Sequence, residues 1–140
     1  MAQLNLHPCA VQMTWLSDGP LNGGEWEKAL RNFFIRLGEN CIDGGGTLIG
    51  HIKGIATVAG SPCLQLSLVS LSQPVSVDGS VPDATNKLQI TLNVLVFGVS
   101  ADDVLSALHK SRNQAAASWR GDIDFEWLPA AQEYPVVLHG

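Results

Sequence analysis

The sequence predicts an α+β fold, a two-layer sandwich. A mainly antiparallel sheet of four to five strands carries two helices on one face, in the order (β)αβββαβ. Three observations point there. Segments within Thr47–Phe97 alternate apolar and polar residues with the period of a strand. Trp26, Leu30, Phe33, Leu37 and Cys41 recur at spacings of three and four, the period of a helix stripe. A second helical stretch, opened by Ser100, separates the last of the central strands from an alternating segment at Asp122–Leu128.

The elements follow in order. Residues 1–9 read as a loose arm, and Ala10–Leu16 as a short strand. Ser17–Gly24, SDGPLNGG, is turn chemistry, since Gly, Pro and Asn supply the special φ values that turns need. Glu25–Cys41 is the first helix, with Glu25 and Glu27 in the turn where the dipole favours negative charge. Asp43–Gly46 ends it. Strands follow at Thr47–Val58 and Cys63–Leu71, joined by AGSP at Ala59–Pro62, and then a loop at Ser72–Asn86 in which Val75–Val77 could pair briefly. Lys87–Phe97 is a strong strand. Ser100 caps the second helix with Asp103 three residues on, and Val104, Leu105 and Leu108 form its buried side. This helix frays near Ala115–Ser118, and Pro129–Gly140 reads as an extended tail. The whole is one domain spanning residues 1–140.

Alternation assigns faces. Leu48, Gly50, Ile52, Gly54, Ala56 and Val58 share one side, and Leu64, Leu66 and Leu68 join them in the next strand. Leu88, Ile90, Leu92, Val94 and Val96, then Ile123, Phe125 and Trp127, complete the apolar side that must meet the helices. Gly50 and Gly54 leave room there for a helix carrying Trp26 and Phe33. Matching the faces demands an odd number of residues in the hairpin loop around Gly60. The opposite side collects His51, Lys53, Gln65, Ser67, Gln89, Thr91, Asn93, Asp124 and Glu126, together with Ile49, Ile55, Val69, Leu95 and Phe97.

Composition bounds the partners. The 140 residues are 46% hydrophobic and 15% charged, so an apolar patch buried in a homo-oligomer, a dimer first of all, is the expectation. A net charge of −5 with eight dispersed Lys and Arg argues against nucleic acid and against an anionic membrane surface. Cys9, Cys41 and Cys63 are odd in number and far apart, which reads as reduced thiols in a cytoplasmic protein. The start, MAQLNLHPCAVQ, lacks a signal-peptide pattern, and no apolar run approaches 18 residues.

Chemistry is sparse. A metal could bring His51 together with Asp124, Glu126 or Cys63, but no two of these have ligand-motif spacing, and an ion pair between Lys53 and an acidic residue across the strands is the simpler expectation. His7 and Cys9 sit in the arm. No G-x-S-x-G supports a nucleophile, and Cys41 at a helix C-terminus has the wrong dipole end. Asn22–Trp26, NGGEW, precedes a helix, but the phosphate-loop pattern is absent. Stacking of RNA would need aromatics on the central strands, but the central positions are His51, Gln89 and Thr91, and only Phe97, at the edge, qualifies.

The segments GTLIGHIKG, at residues 46–54, and LQITLNVLVFGVSADDVLSAL, at residues 88–108, resemble a domain that accompanies CobW-like GTPases. The likeness spans residues 25–116 and rests on a strand with a Gly-His-apolar-Lys core, a second strand, and a strand running into a helix. It implies a stand-alone accessory or partner-binding module. The GTPase motifs are missing, so it assigns no catalytic residue. Two expectations follow. One is a non-catalytic accessory protein that self-associates and binds a protein partner. The other is a small-molecule or metal-binding protein, enzymatic or not, that uses the polar face through His51, Lys53, Gln89, Asn93, Asp124 and Glu126 with an unknown cofactor.

Overall fold

The computed structural model describes residues 8–127. The chain runs β1 (Cys9–Leu21), α1 (Gly23–Asp43), β2 (Leu48–Val58), β3 (Ser61–Leu68), β4 (Ser76–Gly79), β5 (Thr85–Phe97), α2 (Ala101–Ala116) and β6 (Gly121–Trp127). The class is α+β, as read, but the sheet has six strands instead of four to five, in the spatial order β4-β3-β2-β5-β1-β6. Every neighbouring pair is antiparallel. The extra strand is β4, which pairs Ser76–Gly79 with Leu64–Ser67 where brief pairing was expected. Cys9 opens β1 and is buried, so the arm read over residues 1–9 ends before it. Residues 1–7, and the tail read over residues 129–140, lie outside the described residues.

The helices begin where capping chemistry places them. The Asn22 side chain accepts from the Glu25 backbone N–H at 2.8 Å, and Glu25 accepts from the Asn22 N–H at 3.2 Å. This capping box starts α1 two residues earlier than the apolar stripe suggests. Ser100 and Asp103 build the same reciprocal cap on α2. All five residues of the expected stripe on α1 are buried. On α2, Val104 and Leu108 are buried and Leu105 only partly.

One face of the sheet packs beneath the helices. Val11, Met13, Trp15, Ile52, Leu66, Leu88, Ile90, Leu92 and Val94 all turn into a core that also holds Trp26, Phe33, Phe34 and Leu37. Trp15 meets Phe33 and Trp119 edge-on, at centroid distances of 5.5 and 5.2 Å, and Trp26 stands 5.1 Å from Trp119. The indole N–H of Trp26 donates to the Thr85 carbonyl and that of Trp119 to the Leu16 carbonyl. The helices are tied to each other by Asn40, whose amide donates to Ser111 Oγ at 2.9 Å and Gln114 Oε1 at 3.0 Å.

Four details depart from the alternation read in the sequence. First, β1 continues through Ser17–Leu21, where a turn was expected. The register with β5 jumps from Leu16↔Lys87 to Leu21↔Thr85, so Pro20, which cannot donate to a ladder, sits in the irregular stretch. Second, β2 carries a bulge. Ile49 faces Val96 and His51 faces Leu95, which leaves Gly50 as an extra residue. Beyond it the faces exchange: Ile49 is 7% exposed and Leu48 is 61% exposed, the reverse of the expectation. Third, the β2–β3 turn has two residues, Ala59 and Gly60, both at positive φ. The odd residue that face-matching requires is Cys63, bulged between Ala56↔Leu64 and Thr57↔Pro62. Fourth, of the two glycines read as making room for a helix, Gly54 does so and Gly50 does not. A β carbon on Gly54 would stand 2.7 Å from Phe34 Cζ, while one on Gly50 would meet Leu95. The contacting ring thus belongs to Phe34, one residue from the Phe33 expected there.

The contact at Gly54 yields a prediction. Gly54→Val forces a branched side chain into Phe34 and Leu92, and overpacking of this kind costs about 1–3 kcal/mol. Urea unfolding should show a midpoint lowered by that free energy divided by the slope, with the slope itself unchanged. A midpoint equal to that of the parent would mean that α1 does not press on the sheet here.

Candidate functional site: the uncovered face of the sheet

The other face of the sheet carries the residues singled out in the sequence. His51, Lys53, Gln89 and Asn93 stand on the two central strands, and Asp124 and Glu126 on β6. Their rows follow from the register. His51 pairs with Leu95, and Lys53 with Asn93 and Ser67. Ile55 pairs with Thr91 and Gln65, and the row continues through Gln12 to Glu126. Thr57 pairs with Gln89, followed by Thr14 and Asp124.

These rows separate the expected site into two groups. β5 and β1 lie between β2 and β6, so His51 and Lys53 stand three strand spacings, about 14 Å, from Asp124 and Glu126. No single ligand atom or metal ion can be held by both. Cys63 is no partner either. It lies beside Ala56, near the far end of β2, and its thiol donates to the Ala56 carbonyl at 3.5 Å. Among the described residues no group of three or more His, Cys, Asp and Glu could hold a metal ion. Among the described residues Lys53 forms no ion pair, contrary to expectation, because its cross-strand neighbours Asn93 and Ser67 are neutral. Among the described residues the one ion pair is Arg31 with Glu27 on α1, at 2.9 Å.

What remains is a small polar cluster, His51, Lys53 and Asn93, bordered by apolar side chains. Leu48 and Phe97 form one end of the face, Leu95 pairs with His51, and Ile55 follows Lys53. Ile55 is 45% exposed, and Val69, just past the end of β3, is 50% exposed. Partial burial pushes the pKa of His51 down, and the ammonium of Lys53 pushes it further the same way. Both effects disfavour the charged imidazolium. The thiols are muted: burial raises all three, and Cys41, next to Cys9, is pushed up to about 12. A thiol with a raised pKa is a poor nucleophile at neutral pH.

Concave space lies mainly elsewhere. A cavity of about 360 Å³ at the hairpin end is lined by Thr57, Gln89 and Lys87, and His51 and Lys53 stand outside it. A groove of about 630 Å³ runs between α1, α2 and Leu71, lined by Arg36, Glu39, Asn40, Lys110 and Gln114. The sequence reading missed this groove because its lining comes from two helices whose pairing is not a periodic signal. Asn40 alone hinted at it, as a polar residue beside the apolar stripe of α1. Comparison with protein-family models, with curated proteins and with solved structures finds no match to this chain.

The lowered pKa of His51 sets the sign of one pH effect. The unfolded chain binds a proton at this residue near its ordinary pKa of 6.5, while the folded chain binds it only at lower pH. The contribution of His51 is therefore fully present above pH 6.5 and is lost as the pH falls toward the lowered folded value. Thermal unfolding should show a Tm that falls between pH 7.5 and 5, with a smaller drop for His51→Gln. Equal drops in both proteins would show that the environment of His51 does not disfavour its charge.

Proposed function

We propose that this chain is a non-catalytic accessory or partner-binding module, a two-layer sandwich that self-associates through the face of its sheet that the helices leave open. The observation that carries this reading is the set of exposed aliphatic side chains distributed over one face, on both sides of the polar group. Leu48, Ile55 and Val69 stand out from a sheet whose other side already holds a full core. Apolar side chains gathered on one surface favour burial against a partner, at about 25 cal/mol per Å² of apolar area removed from water. A neutral His51 is compatible with a contact that excludes water. The resemblance to the accessory domain of CobW-like GTPases supports a binding role in the same direction. Cys9, Cys41 and Cys63, all among the described residues, form no disulfide, which suits a reducing compartment such as the cytoplasm. Among the described residues no helix is long and apolar enough to cross a membrane.

The test is solution mass by sedimentation or light scattering. The parent protein should be a dimer, and Leu48→Asp or Ile55→Asp should convert it to a monomer with unchanged far-UV circular dichroism. Both side chains are well exposed, so the substitutions leave the core intact. A parent that is monomeric at high concentration would sink the reading. If instead a small molecule or metal copurifies and His51→Ala removes it without changing the mass, the polar cluster is a ligand site.

A further inference from the structure

From the order of the strands we infer where the second copy sits: the two-fold axis of the dimer runs parallel to the strands, above the line between β2 and β5. This rests on the self-association proposed above and adds its geometry. The sheet order β4-β3-β2-β5-β1-β6 has its midline between β2 and β5. A two-fold axis there lays all six strands of one copy over all six of the other. Five strand spacings give a width of about 24 Å, and the nine residues of the central ladder give a length near 30 Å. The footprint is then on the order of 700 Å², close to the roughly 800 Å² per partner of a standard interface. Two sheets packed face to face lie about 10 Å apart with strands aligned to within about 30°.

This placement has a simple consequence. An axis midway between two paired strands sets each residue opposite the other copy's version of its own cross-strand neighbour. Leu48 then meets Phe97, His51 meets Leu95, Lys53 meets Asn93, and Ile55 meets Thr91. Leu48 meets an aromatic ring, Leu95 meets the imidazole of His51, Ile55 meets the methyl-bearing side chain of Thr91, and the ammonium meets an amide that can accept its hydrogen bond. The acidic residues of β6 fall at the rim, in water. The competing placement puts the axis between β5 and β1, which would bring Lys53 toward Glu126. It overlaps only four strands and sets Ile55 under the row of carboxylates, so both the area and the apolar contacts favour the midline.

Thiol cross-linking separates the two. In a Cys63→Ser background, Lys53→Cys and Thr14→Cys each place one accessible thiol on the face. The midline axis puts the two copies of residue 53 about 11 Å apart and those of residue 14 about 17 Å apart, and the competing axis reverses these distances. A short bis-maleimide should join Lys53→Cys into covalent dimers at least tenfold more efficiently than Thr14→Cys. Equal or reversed yields, or no linkage from either variant while the mass stays dimeric, would overturn the placement and leave self-association standing. A monomeric mass for the parent would mean that the face serves a different partner, and both conclusions would fall together.

Discussion

The side of the sheet that lies under the helices governs the rest of the molecule. Phe34 of α1 reaches the backbone of β2 at Gly54, and around that contact Ile52, Ala56, Leu66, Ile90 and Leu92 must all turn inward. A shift of one residue in any strand would carry these side chains to water. Burying each contributes about 1.5–3 kcal/mol, so the register is held by many independent terms of the same sign. The bulges at Gly50 and Cys63 are best understood within that constraint. Each absorbs one residue so that the strand beyond it can keep its apolar side under a helix.

The open face is what this constraint leaves behind. Its composition is set by where the inward residues are, so His51 and Lys53 are neighbours on it because Ile52 and Gly54 are needed below. Its chemistry is accordingly thin. The carboxylates of β6 are too far from the imidazole to act with it, the thiols are quiet, and the cross-strand partners of Lys53 are neutral. The described surface is a mixture of isolated polar groups and aliphatic side chains.

Much of the fold was legible because half-buried strands and helices leave periodic marks. The stripe Trp26, Leu30, Phe33, Leu37, Cys41 and the inward set of β5 can be read directly from spacing. The cap at Ser100 could be read from residue types alone. The bulges could not, because an extra residue changes parity without changing composition, and so Leu48 and Ile49 were assigned to each other's faces. β1 was cut short because Asp18, Gly19 and Pro20 resemble a turn, and only the irregular pairing with β5 and β6 shows that the strand continues past them. For the candidate site, the face of each residue was legible but its column was not. Strand order is a long-range property, and it is the order that places two strands between His51 and the carboxylates once grouped with it.

Asp122, Asp124 and Glu126 project from a strand that closes one border of the described sheet. A border strand offers unpaired amides and carbonyls to any other extended chain, and open-ended stacking of this kind leads to fibres. Three carboxylates in a row would be set against their own copies if two such borders met in register, and the like charges would repel. Among the described residues these negative charges form no ion pair, and they oppose edge-to-edge pairing of two such borders. They discourage growth along the hydrogen-bonding direction, so the proposed contact through the broad surface would not compete with open-ended pairing at this border.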